Sequence, residues 1–333
     1  MGILVMYPGP SRVKKAISFE TLENVTFMKI LVATEKPFAK AAVDGIREIV
    51  EGAGDELALL EKYADKAELL AAVADADGLI VRSDKVTREV IDAARNLKIV
   101  VRAGAGYDNV DLAACTERGI VVMNTPGQNS NAVAELVVSM MIFISRNQFT
   151  PGTGAEVSGK RLGIHAYGNV GRIVARYGRA LGMSVKAFDP FVDPRQLEAD
   201  GVEAVGTVEE LYASSDYVSL HIPATAQTRG SIGYELLSSM PKGGVLINTA
   251  RKEVIDEQGL IRAFEERADL KYITDIAAEA QPLLTEKFGK RVFATPKKMG
   301  AETAEANLNA GLAAARQTVD FLKNGNRRFP VNK

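Results

Sequence analysis

From Met28 onward, short runs of β-branched and aliphatic residues alternate with longer stretches whose apolar positions return every three to four residues. The short runs read as buried strands and the longer ones as amphipathic helices, the alternation that βαβ units around parallel sheets require. A first set of candidate strands comprises KILVAT, GLIVRS, KIVVRAG and IVVMNT. A second comprises RLGIHAYG, SVKAFDP, DYVSLHIP, GVLINTA, YITDIA and RVFATP. Between the sets, NSNAVAELVVSMMIFISRN (129–147) joins a polar start to a long apolar body and reads as one extended helix. The glycine- and proline-bearing QFTPGTGAEVSGK after it reads as a linker. The expected fold is α/β, with two doubly wound parallel-sheet domains over 28–128 and 129–301. An alanine-rich segment, 302–333, is expected to return as a helix to the first domain, and residues 1–27 form an extension outside the core.

Composition narrows the function. A chain of 333 residues is long enough for two cores. Its 41 basic and 42 acidic residues leave a net charge of -1, without the excess that a nucleic-acid binder shows. Cys115 is the sole cysteine, so an intrachain disulfide is impossible, no cysteine metal cage is expected, and a reducing, cytoplasmic setting fits. The longest strongly apolar run, 136–144, is far shorter than the roughly 20 residues of a membrane-spanning helix. The N-terminus places its basic residues after a brief apolar run, the reverse of a secretory signal.

The strand RLGIHAYG passes directly into a helical stretch, so Ala166-Tyr167-Gly168-Asn169-Val170-Gly171 occupies a strand-to-helix turn. This is close to the G-x-G-x-x-G dinucleotide loop, with Ala166 at the first glycine. There the second glycine admits the pyrophosphate to the backbone and the third lets the helix pack tightly. The free N–H groups and positive dipole end of the helix then face the phosphates. Asp189 ends the next strand, eighteen residues after Gly171, near the distance at which a carboxylate meets the adenosine ribose. Such a carboxylate would repel a 2′-phosphate, which favours NAD over NADP.

The run VRAGAGYDNVDLAACTERGIVVMNTPGQNSNAVAELVV, followed in order by GKRLGIHAYGNVGRIVARYGRALGM, YVSLHIPATAQTRGSIG, MPKGGVLINTARKEVIDEQGL and TPKKMGAETAEAN, resembles the D-2-hydroxyacid dehydrogenases. Within that family it is most similar to the members that act on 3-phosphoglycerate. The resemblance implies a central NAD-binding Rossmann domain, a flavodoxin-like substrate domain, and a homodimer formed partly through the long helix. No regulatory extension follows the final helix, so feedback through a C-terminal module is not expected. His221, Pro223, Thr228, Thr249, Ala250 and Asp275 fall on its cofactor-contacting positions, with Asp275 facing the nicotinamide carboxamide.

Oxidising a 2-hydroxy acid requires a grip on the carboxylate, a hydride acceptor and a proton acceptor. Arg251 follows the strand GVLINTA, at a strand end where ligands bind in such sheets. Its guanidinium can hold a carboxylate bidentately, and the family's essential arginine falls here. Arg82 and Ser83 end one strand, and Gly104, Ala105 and Gly106 end another. Together they could offer a cation, a hydroxyl and backbone N–H groups to a phosphate or carboxylate.

The resemblance breaks at the proton acceptor. Where the family has a histidine after Thr-Pro, this chain has Lys297 or Lys298, depending on where the alignment is anchored. Where the family has the partner glutamate, it has Ala280, with Glu279 one step early. A lysine accepts a proton only when neutral, which desolvation and a nearby guanidinium favour and a paired carboxylate opposes. The expected catalytic set is therefore Arg251 with one of the two lysines and a possible part for Glu279. His165 and His221 are not expected to carry the proton. The expected reaction is NAD-dependent oxidation of 3-phosphoglycerate, opening serine synthesis. Alternatives are another small 2-hydroxy acid, such as glycerate, hydroxypyruvate or lactate, and a catalytically silent NAD-binding sensor or corepressor.

Overall fold

The computed structural model describes residues 27–332. Of the expected extension, 1–27, all but Phe27 lies outside the described residues. A five-stranded sheet contains β1 (Lys29–Thr34), β2 (Glu56–Glu61), β3 (Gly78–Val81), β4 (Ile99–Arg102) and β5 (Val121–Asn124) in the order β2-β1-β3-β4-β5. A seven-stranded sheet contains β6 (Arg161–His165), β7 (Ser184–Phe188), β8 (Glu203–Ala204), β9 (Tyr217–Leu220), β10 (Val245–Asn248), β11 (Lys271–Thr274) and β12 (Val292–Ala294). Its order is β12-β11-β10-β9-β6-β7-β8. Both sheets are parallel throughout their ladders. The first has the flavodoxin-like order and the second is Rossmann-type, so both are doubly wound, as the strand pattern implied. In each, the strand order reverses beside the first strand, β1 or β6, which opens a crevice at the carboxyl ends where ligands bind.

Strand alternation explains the layers. Leu31, Ala33, Leu79, Val81 and Val100 face one core, while Ile30, Val32, Ile80 and Val101 face the other. The second core is closed by the helices Lys40–Gly52 and Ala304–Asn324, the latter through Ala310, Ala314 and Ala315. The C-terminal helix thus packs on the first sheet. In the second sheet, Leu162, Ile164, Val185, Ala187 and Ile247 share a core with Ala134, Val137, Met141 and Ile144 of the long helix Ser130–Ser145. The long helix is therefore built into the seven-stranded layer, with its first turn beside the crevice. Each fully buried Val, Leu or Ile here contributes about 1.5–3 kcal/mol of transfer free energy.

Two strands were absent from the sequence pattern. β2 reads ELALLE, and Glu, Leu and Ala are helix formers. It is nonetheless extended, because it pairs with β1 along its full length, from Lys29 opposite Glu56 to Thr34 opposite Glu61. β8 has only two residues and leaves no periodic trace. A further edge element is the tail after the C-terminal helix. Val331 N–H donates to Val122 O at 2.8 Å, and Pro330 bridges Met123 antiparallel, so the tail covers the open side of β5.

Candidate active site

The carboxyl ends of the two sheets meet at a cleft of 710 Å³. From the first sheet come Ser83, Arg102, Ala105 and Gly106; from the second, Val170, His221, Pro223, Thr249, Ala250 and Arg251; and from the loop beyond β12, Lys298.

The dinucleotide loop follows β6. Ala166 has φ +79°, the left-handed conformation for which glycine is suited, so the residue at the first-glycine place is strained. Gly171 sits where a Cβ would come within 2.3 Å of Ala166 O, which excludes any other residue there. A Cβ at Gly168 would meet nothing within 4 Å, leaving open space above the N-terminus of the helix Asn169–Ala180. That is the cradle a pyrophosphate needs. Asp189 accepts the Tyr167 N–H at 2.8 Å and the Phe191 N–H at 2.9 Å, which fixes the carboxylate at the end of β7. A carboxylate has further lone pairs, so ribose hydroxyls can still be accepted. Tyr167 serves through its backbone alone: its ring is buried and its hydroxyl donates to Asp200 at 3.0 Å. Thr228 caps its own turn, accepting the Thr225 N–H at 2.8 Å, and stands back from the cleft lining.

Further along, Asn248 shapes the turn that carries Arg251. Its side chain accepts the Ala250 N–H at 2.9 Å and donates to Arg251 O at 3.0 Å. The Arg251 guanidinium bonds Ala250 O at 2.9 Å and lies 3.9 Å from Asp108. Thr249 Oγ1 and Asp275 Oδ1 are buried without a protein partner. Two orphaned polar atoms beside the cleft suit a ligand with amide donors and acceptors, as a nicotinamide carboxamide provides. Burial holds the Asp275 carboxyl above its usual range, opposed by the N–H groups it accepts.

Those N–H groups decide between the two lysines. Asp275 Oδ2 accepts Gly300 N–H at 2.8 Å and Met299 N–H at 3.3 Å, and Thr295 Oγ1 donates to Lys297 O at 2.7 Å. With the loop held on both sides, both lysines are exposed, but Lys298 lines the cleft and Lys297 lies outside it. Lys298 still reaches water through the open mouth. The protein surrounding it, and then the Arg251 guanidinium, nevertheless hold its pKa below the ordinary lysine value, with Arg102 adding to the effect and Asp275 and Asp108 opposing it.

The structure does not bring Glu279 to the site. Its side chain is exposed and pairs with Lys252 at 3.1 Å, because the Glu279 and Ala280 N–H groups are anchored on Glu257 and turn the carboxylate outward. Arg82 is also diverted. Its guanidinium bonds Lys36 O at 3.2 Å and Asn307 Oδ1 and stacks over Phe38, tying the first sheet to the C-terminal helix. Its place in the cleft is taken by Arg102, which sequence reasoning missed. Arg102 Nε donates to Arg82 O at 2.9 Å, and burial, then Arg82 and Arg251, lower its pKa. Gly104, already a candidate, makes room for it: its φ is +149°, and a Cβ there would stand 1.6 Å from the Arg102 guanidinium. The histidines stay neutral: burial lowers His165 to about 4, and burial with His165 nearby lowers His221.

Residues 135–297 match the D-isomer specific 2-hydroxyacid dehydrogenase, NAD binding domain. The chain is 52% identical to the NAD+-bound 3-phosphoglycerate dehydrogenase of Entamoeba histolytica, covering 92% of this chain and 99% of that one with a TM-score of 0.84. This chain belongs to the D-isomer specific 2-hydroxyacid dehydrogenase family. It is 36% identical to a hydroxypyruvate reductase of Thermotoga maritima, over 78% of this chain and 89% of the relative. It is 38% identical to a D-3-phosphoglycerate dehydrogenase of Methanocaldococcus jannaschii, over 78% of this chain but 52% of the relative. The chain spans about half the length of such curated relatives. Membership in this family makes the cleft's dinucleotide half an NAD site, and the glycine cradle, Asp189 and the orphaned polar atoms fit that cofactor. Among the described residues no helix is long and apolar enough to cross a membrane.

Proposed function

We propose that the protein interconverts a small 2-hydroxy acid and its 2-oxo acid with NAD, and that the substrate is 3-phosphoglycerate. The observation that carries this reading is the convergence of Arg102, Arg251 and Lys298 on one cleft that also contains the dinucleotide-loop residue Val170. Bound NAD supplies the hydride acceptor. Arg251 holds the substrate carboxylate and polarises the neighbouring carbon–oxygen bond. Lys298, made less basic by its surroundings, takes the hydroxyl proton during oxidation and returns it to the forming alkoxide during reduction. Arg102 supplies a second guanidinium for the remaining anionic group. The loss of a partner glutamate supports this assignment, since a carboxylate bonded to Lys298 would keep it an ammonium.

A second reading is a substrate without phosphate, such as hydroxypyruvate. It is favoured by the engagement of Arg82 with Asn307, which leaves one fewer arginine for a dianion, and by the hydroxypyruvate reductase among the relatives. NADH oxidation with 3-phosphohydroxypyruvate, hydroxypyruvate, glyoxylate and pyruvate tests both. The first reading expects kcat/KM for the phosphorylated acid to exceed that for hydroxypyruvate, and the reverse order establishes the second. Tight NADH binding without turnover of any acid would instead indicate a sensor.

A further inference from the structure

We infer that Lys298 is also a covalent docking site for anionic carbonyl compounds, its ε-amine forming a reversible imine with 2-oxo acids held in the cleft. The inference rests on the reading of the cleft as a 2-oxo-acid site and on the surroundings of this lysine. Lys298 shares the cleft with Arg102 and Arg251, so an anion bound to either guanidinium brings its carbonyl into the amine's neighbourhood. The bonds of Asp275 to Met299 and Gly300, and of Thr295 to Lys297, hold the backbone on either side of Lys298, whose side chain lines the open cleft. No ion pair involves Lys298 among the described residues. Lys252, on the same cleft wall, differs: Glu279 lies 3.1 Å from its ammonium and raises its pKa. The groups acting on Lys298 favour the neutral amine, since burial, Arg251 and Arg102 outweigh Asp275 and Asp108. A neutral amine is the nucleophilic form.

The step needs no oxidant or reductant. The nitrogen lone pair attacks the carbonyl carbon and forms a C–N bond while the carbonyl π pair moves to oxygen. Both amine protons leave with that oxygen as water, and a C=N bond remains. Hydrolysis reverses it. Because the same amine is the proposed proton carrier, an oxo acid present before the dinucleotide ties it up, which makes the imine an off-cycle state.

The test uses the full chain without NADH, incubated with glyoxylate and cyanoborohydride, which fixes an imine as a carboxymethyl group, followed by peptide mass mapping. Labelling of Lys298 is expected to exceed that of Lys252, whose amine is held charged by Glu279 and which has no guanidinium aligning the oxo acid beside it. Arg102→Gln should reduce labelling by glyoxylate much more than labelling by uncharged acetaldehyde. Adducts spread over the surface lysines, or Lys252 labelled in preference to Lys298, would overturn the inference. An NADH-oxidation assay on the same preparation separates the two ideas. Labelled Lys298 without turnover keeps the imine site and removes the dehydrogenase reading, and turnover with Lys298 unlabelled does the opposite.

Discussion

Two adjacent lysines presented the same chemistry, and only the contacts of their neighbours separate them. Asp275 accepting from Met299 and Gly300, and Thr295 donating to Lys297 O, hold the loop so that Lys298 lines the cleft and Lys297 stands outside it. The Asp275 contacts join residues 24 and 25 apart in the chain, so they were illegible in the sequence. The departure from histidine was legible, as were Arg251 and the dinucleotide loop. Because the Lys298 pKa is lowered, the sign of its pH dependence is fixed. Oxidation needs the neutral amine, so its kcat should rise with pH toward a plateau set by an apparent pKa below the ordinary lysine value. Reduction needs the ammonium and should fall over the same interval. A pH profile flat in both directions would remove the lysine from the proton transfer. Arg102→Gln deletes a charge-assisted contact worth about 2 kcal/mol, so KM for the oxo acid should rise roughly 30-fold. NADH affinity, followed by fluorescence titration, should change little. Ala166→Gly relieves a left-handed alanine and should stabilise the fold by about 1 kcal/mol in chemical denaturation. A neutral or destabilising result would mean that the loop does not hold that conformation in solution.

At the level of elements, the expected strands were recovered where burial was two-sided, because runs such as GLIV and VLIN have no polar face to confuse the period. β2 escaped because an edge strand is stabilised by its ladder to β1 rather than by composition. The tail after the C-terminal helix, held on β5 by a single bridge, escaped for a similar reason and has a role at the site. Phe329 O accepts the Asn124 N–H at 3.4 Å, and the Asn332 side chain accepts the Val122 N–H at 2.8 Å. Asn124 in turn donates to Ala105 O at 2.6 Å, and Thr125 N–H donates to Gly104 O at 3.0 Å. The tail therefore braces β5, and β5 braces the glycine loop that lies against Arg251. Removing residues 329–333 should raise KM for the oxo acid several-fold and leave the NADH Kd unchanged, whereas equal losses in both would point to general unfolding.

For the whole molecule, the decisive feature is that the cations come from both layers. Arg102 stands at the end of β4 in the five-stranded sheet, while Arg251 and Lys298 follow β10 and β12 in the seven-stranded one. Each layer alone has an incomplete grip, and a dianion bridging them offsets their mutual repulsion. A small dianion such as oxalate should therefore raise Tm above that in chloride at equal ionic strength. Saturation at about 100 times Kd corresponds to roughly 2.7 kcal/mol. Arg102→Gln should abolish the difference, and an equal Tm in both salts would argue against a shared anion site.

The most direct measurement is steady-state NADH-dependent reduction of the preferred 2-oxo acid by Lys298→Met and Lys297→Met, with NADH binding verified in each. The structure predicts a fall in kcat on the order of 100-fold or more for Lys298→Met, and a change within roughly two-fold for Lys297→Met. Undiminished turnover in Lys298→Met would contradict the account.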